Sequence, residues 1–108
     1  MRDASLKKLN LEGNNIGDET LIYLVDKAIR GFRMEFLNVS RCAISDFGAR
    51  SLAKLVFECT SLRVLFMAYN RVMGRGGAEI ARALKVNSVL EVLDISYNSV
   101  GGGRTKLG

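Results

Sequence analysis

Histidine, proline and tryptophan are absent from this 108-residue sequence, and cysteine occurs only twice. Without histidine the chain lacks the usual general base, the usual proton shuttle and the commonest zinc ligand. Cys42 and Cys59 follow no signal peptide, which points to free thiols in a reducing compartment. No apolar run approaches the roughly 20 residues that a membrane span requires. There is also no block of like charge, since the lysines and arginines behind the net charge of +5 are scattered from Arg2 to Lys106. Such scatter suits a solvated surface and makes a nucleic-acid or acidic-membrane footprint the lesser reading. No Ser/His/Asp or Cys/His set and no metal-ligand spacing is present. The run GRGGAE at 74–79 lacks the residue order of a phosphate loop. These absences argue against an enzyme, and no cofactor or metal is expected. The chain reads as soluble, intracellular and cytoplasmic.

What is present is a repeat. Four stretches align: LKKLNLEGNNI (6–16), MEFLNVSRCAI (34–44), LRVLFMAYNRV (62–72) and LEVLDISYNSV (90–100). Their starts are 28 residues apart, three times in succession. Within them Leu9/Leu37/Leu65/Leu93 and Leu11/Val39/Met67/Ile95 lie two residues apart, so both columns project from one side of a short strand. Strands are therefore expected near 6–11, 34–39, 62–67 and 90–95. Between them, Leu24/Leu52/Ile80 and Ala28/Val56/Leu84 recur one helical turn apart, which predicts amphipathic helices. Ser45-Asp46 and Gly74 through Gly77 read as start and turn signals ahead of the second and third helices, and Asp18-Glu19 as a solvated start of the first. One strand and one helix per unit, stacked side by side, give an α/β solenoid: a curved parallel sheet inside and helices outside. With 48% hydrophobic and 25% charged residues, one folded domain over 1–108 is expected.

The pattern resembles the leucine-rich repeat, L-x-x-L-x-L-x-x-N/C-x-L, over essentially the whole chain. The 28-residue period, and cysteine alternating with asparagine, are similar to the ribonuclease-inhibitor-like subclass. That resemblance implies a non-catalytic module that binds another protein through its concave face. It also implies two alternatives: a regulator of a Ran-type small GTPase, with Asn14-Asn15 and Asp18-Glu19 as its loop residues, or a segment of a ribonuclease-inhibitor or immune-receptor sensor. Cytoskeletal and ciliary scaffolds are similar to this subclass as well.

The column Asn14, Cys42, Asn70, Asn98 is expected to form a structural ladder after each strand. A buried amide can both donate to and accept from the backbone groups that the turn leaves unpaired. Cys42 is small enough to replace it, and Cys59 fills a turn.

The residues alternating with the core columns face the inside of the curve: Lys8/Phe36/Val64/Val92, Asn10/Asn38/Phe66/Asp94, Glu12/Ser40/Ala68/Ser96 and Gly13/Arg41/Tyr69/Tyr97. Phe36, Val64 and Val92 could stack merely to stabilise the sheet. Several aromatics on one surface also suit a partner, so Phe36, Val64, Phe66, Tyr69, Val92, Asp94 and Tyr97 are the candidate binding residues. Phe66 is expected to find little packing in a column of Asn10, Asn38 and Asp94. In the repeat frame Met1 falls at a helix end and Gly108 inside a helix, so a segment of a longer array is expected, with self-association through uncapped ends.

Overall fold

The computed structural model describes residues 7–31 and 33–99. The described residues form four strands, β1 (Lys8–Asn10), β2 (Phe36–Asn38), β3 (Val64–Phe66) and β4 (Val92–Asp94). Three helices alternate with them: α1 (Gly17–Gly31), α2 (Asp46–Glu58) and α3 (Gly74–Val86). The strands form one parallel sheet in chain order, with Leu9, Leu37, Leu65 and Leu93 in register. The register step equals the sequence period, so each repeat adds one strand and one helix to the stack. Leu6, Val100 and the Gly101–Gly103 run lie outside the described residues, as do Met1 and Gly108.

The core lies between sheet and helices. Met34, Leu37, Val39, Leu62, Leu65 and Met67 come from the strand segments, and Leu52, Leu55, Val56 and Ile80 from α2 and α3. Each such burial stabilises by about 1.5–3 kcal/mol. Leu9 and Leu93 in β1 and β4, and Leu11 and Ile95 just after them, are only half-buried, because each has a described neighbour on one side alone.

The helical stripe is wider than the sequence suggests. α2 sits between two helices and buries two flanks: Gly48, Leu52 and Leu55 on one, Ala49, Ala53 and Val56 on the other. α1 buries Leu21, Val25 and Ala28, and α3 buries Gly76, Ile80 and Ala83. Leu84, expected in the apolar stripe, is exposed, and Leu24 is only half-buried. Leu84 lies on the flank of α3 that meets no further described helix, and Leu24 on the outer flank of α1, where it packs only against the edge of the core, a consequence of stacking order and not of periodicity.

Ser45 starts α2 as expected, its hydroxyl accepting from Phe47 N at 3.3 Å, but the other helix starts differ from expectation. The Gly74–Gly77 run is no loop; Gly74 opens α3 and the following glycines form its first turn. Met73, the N-cap, makes no side-chain cap bond. The orphan amides are met by the preceding repeat instead: Asp46 Oδ1 accepts from Met73 N at 2.7 Å and Gly76 N at 3.1 Å. Asp18 does the same for α2, accepting from Ser45 N at 2.8 Å and Gly48 N at 3.0 Å, and from the Ser45 hydroxyl. Asp18 is thus no merely solvated start of its own helix. It clasps the next one, and each such charge-assisted bond contributes about 1.5–3 kcal/mol.

Candidate functional site

Tight turns follow each strand, and the asparagine column holds them. Asn70 is buried; its Oδ1 accepts from Cys42 N at 2.9 Å and Ile44 N at 3.0 Å. Its Nδ2 donates to Val39 O, Met67 O and Ala68 O at 3.0, 3.1 and 3.2 Å. Asn98 repeats the pattern one unit on, bonding Val72 N, Met67 O, Ile95 O and Ser96 O. Cys42 reaches Leu11 O at 3.0 Å and Ser40 O at 3.3 Å through its thiol. The side chains of the column do not bond one another; Asn70 and Asn98 each tie their own turn to the backbone of the preceding one, which for Asn70 includes the Cys42 amide. Asn14 is the exception: it is exposed, and among the described residues its side chain bonds only Leu11 O and Glu12 O of its own turn. Cys59 caps α2 and is buried, its thiol 3.7 Å from Met34 O.

This scaffold sets out the concave face. Phe36, Val64 and Val92 stand in register, as do Asn38, Phe66 and Asp94. Phe36 and Phe66 meet diagonally across β2 and β3, edge to face, with centroids 5.5 Å apart and planes at 89°. Phe66 is therefore half-buried and packed, contrary to the expectation of little packing. A diagonal neighbour two residues off register is within reach of a large ring, which column reading alone does not show.

Phe66 also replaces a turn-forming residue. In its column, Asn10 Oδ1 accepts from Glu12 N, Asn38 Oδ1 from Ser40 N and Asp94 Oδ1 from Ser96 N, each at 3.0 Å. Phenylalanine offers no acceptor there. The amide of Ala68 turns instead to Ser40 Oγ of the neighbouring repeat, at 3.0 Å. The Ser96 hydroxyl and amide both donate to Asp94 and hold its carboxyl below the usual aspartate value.

The strand-exit column carries the strongest local signal. Gly13, Arg41, Tyr69 and Tyr97 all adopt left-handed backbone, with φ of +80°, +54°, +56° and +57°. Glycine fits that conformation freely, whereas a side chain there is strained. Yet three of the four turns carry large side chains, and these touch. The Tyr69 and Tyr97 rings stack at 4.1 Å and 7°, and the Arg41 guanidinium lies 3.8 Å above the Tyr69 ring. Tyr97 raises the Tyr69 phenol above its ordinary pKa, through hydroxyl contact and like charge, while Arg41 opposes the shift. The stack stays in solvent, with Tyr69 42% and Tyr97 69% exposed.

A shallow groove of about 240 Å³ runs beside it, lined in part by Glu12, Asn38, Ser40, Arg41, Phe66 and Asp94. The structure thus brings Phe36, Val64, Phe66, Tyr69, Val92, Asp94 and Tyr97 onto one face. Arg41 and Ser40 line the same groove, although the candidate binding set does not include them. The strand-exit column points to Arg41 and the inward-facing column Glu12/Ser40/Ala68/Ser96 to Ser40, but nothing in the sequence shows that Ser40 bonds the Ala68 amide. Among the described residues no cluster of metal-ligating side chains occurs, and no helix is long and apolar enough to cross a membrane.

Comparison with known proteins agrees with this architecture. No curated protein matches the sequence significantly. Among solved structures, the leiomodin-1 actin-binding site 2 superposes with a TM-score of 0.84 at 20% identity, covering 96% of this chain and 60% of that one. The Caenorhabditis elegans tropomodulin C-terminal domain gives a TM-score of 0.82 at 25% identity, covering 98% and 62%. The chain therefore spans about three-fifths of each of these relatives. The family model described as Leucine Rich repeat matches residues 3–25, 34–53 and 86–103, more than half of the sequence. With its in-register strands, outer helices and asparagine-held turns, this chain belongs to the leucine-rich repeat family.

Proposed function

We propose that this chain is a non-catalytic protein-interaction module that grips its partner through the concave face. One observation carries the reading: Arg41, Tyr69 and Tyr97 occupy left-handed turn positions where glycine would be unstrained. Strain at a position the fold could fill with glycine supports a role for the side chains themselves. Exposed tyrosines under an arginine are the residue types that dominate binding energy at protein interfaces. Phe66, half-buried in place of a turn-forming residue, extends the same surface. The set that would touch the partner is Phe36, Val64, Phe66, Tyr69, Val92, Asp94 and Tyr97, with Arg41 added.

The partner tested first is actin, because one similar structure is the actin-binding site 2 of leiomodin-1. The fitting measurement is titration of labelled monomeric actin, and cosedimentation with filaments, for wild type, Tyr97→Gly and Phe66→Asp. Binding lost in both variants while they remain folded supports the concave face. Unchanged binding places the contact elsewhere, and no binding by the wild type sends the search to other proteins. The same arms run with Ran, read as GTP turnover, test the alternative of a GTPase regulator.

A further inference from the structure

The outer surface of the helices carries a second feature that the repeat does not require. Phe47 and Phe57 on α2 are 71% and 61% exposed, and Val86 at the end of α3 is 63% exposed. In the 28-residue frame, position 47 corresponds to Glu19 and Arg75, and position 57 to Ile29 and Lys85. The buried stripes of α2 lie on other faces, so no fully buried column explains either phenylalanine, although Ile29 on α1 is partly buried against the core. Phe47, Arg50, Lys54 and Phe57 share one side of α2, and the two rings stand ten residues apart, roughly 15 Å along the helix.

These side chains border a groove of about 740 Å³ running over α2 and α3, edged by Ile22 of α1. Ala53 and Ala83 form its floor. Its charged lining is mostly basic: Arg50, Lys54, Arg82 and Lys85. Glu79 is the one acid in that lining, and it is paired with Arg82 at 3.0 Å.

We infer that this groove docks an acidic amphipathic helix of a partner protein, independently of the concave face. The two phenylalanines and Val86 would hold an apolar stripe about three turns long, repeating at i, i+3/i+4, i+7 and i+11. Arg50, Lys54 and Lys85 would face the acidic flanks of that helix, giving electrostatic selection of the partner. A second copy of this chain is a poor occupant, since it presents the same basic lining and a net charge of +5. An anionic bilayer also offers negative charge, but a flat surface leaves the alanine floor uncovered where a helical ridge fills it.

The test is selection from a displayed library of helical peptides of about 18 residues, long enough for five turns. Enriched peptides should be acidic with one apolar face. They should bind Phe57→Glu and Arg50→Glu at least about tenfold more weakly than wild type, and bind Phe66→Asp undiminished. Both mutated side chains are exposed, so circular dichroism should be unchanged; if one variant misfolds, the other carries the test. Vesicles with and without phosphatidylserine form the parallel arm. The inference is overturned if no peptide is enriched, or if enriched peptides lack acids or an apolar face. It is overturned equally if Phe66→Asp and not Phe57→Glu abolishes binding. Capture by phosphatidylserine vesicles without peptide binding overturns it in favour of a membrane.

Discussion

Asp46 Oδ1 accepts a hydrogen bond from the backbone of Gly76, and a Cβ built on that glycine would lie 2.6 Å from the same oxygen. The two residues belong to successive repeats, and their closeness explains both identities. The carboxylate must reach the first turn of α3, and only glycine leaves it room. The same pair recurs as Asp18 and Gly48, where the corresponding approach is 2.5 Å.

Gly76→Ala should therefore destabilise although alanine is the better helix former. The added methyl would also meet Val72 Cγ1 at 2.8 Å and Ala49 Cβ at 2.9 Å. Overpacking of this kind costs about 1–3 kcal/mol. Asp46→Ala should cost a similar amount by freeing two amides. Because both changes strike one contact, urea melts of the double variant should show less than the summed loss.

Asn70→Ala should cost at least about 1–3 kcal/mol, since it strands buried backbone groups of two turns. Asn14→Ala, exposed and, among the described residues, bonded only within its own turn, should cost less than about 1 kcal/mol. Cys42→Asn should be tolerated, because the amide can take over the bond to Leu11 O that the thiol now makes. Equal losses for Asn70→Ala and Asn14→Ala in a denaturant series would contradict the bonding described.

Ser40 and Phe66 should be coupled through the amide of Ala68. Ser40→Ala removes the acceptor of that amide and should cost about 1–3 kcal/mol. Phe66→Asp restores the local acceptor found in the other repeats while losing the ring contact with Phe36, worth about 0.5–1.5 kcal/mol. Phe66→Asp alone should then shift stability by no more than about 1 kcal/mol, and Ser40→Ala should cost less in its presence. A double-mutant cycle measures the coupling, and simple additivity would refute it.

Tyr97→Gly separates structure from recognition. Glycine relieves the left-handed strain but gains freedom in the unfolded chain, so stability should change by less than about 1 kcal/mol. Partner affinity should fall by about 2 kcal/mol or more if the tyrosine stack is an interface anchor. Thermal melts read one quantity and titration the other.

Asp94 makes the strand-exit turn of β4 sensitive to acid. Its folded pKa is held below the ordinary aspartate value by the Ser96 hydroxyl first and the Ser96 amide second. A depressed folded value stabilises above the unfolded pKa, and that stability is lost as pH falls through the lower folded one. The Ser96 amide resonance followed by NMR should move with an inflection below the usual carboxylate range, and Ser96→Ala should bring the Asp94 inflection upward.

The period of 28 residues determined much of this protein without any structure. Columns such as Leu37/Leu65 can be buried together only if strands stack in register, and Leu52 and Ile80 only if helices cover them. The concave columns followed from strand alternation, a local property of the backbone. The Asp–Gly clasps were written there too, as Asp18/Asp46 and Gly48/Gly76 recurring at the repeat length, but their meaning was not. A carboxylate at a helix start ordinarily serves its own helix, and only stacking shows that it reaches the next one. The tertiary structure also decided that Phe66 packs on Phe36, that Ser40 serves Ala68, and that Leu84 and Leu24 lie on uncovered flanks. It alone revealed the left-handed turns beneath Arg41, Tyr69 and Tyr97. Backbone conformation and cross-repeat contact arise between residues some 28 apart in sequence, and they exist only once neighbouring units are packed side by side.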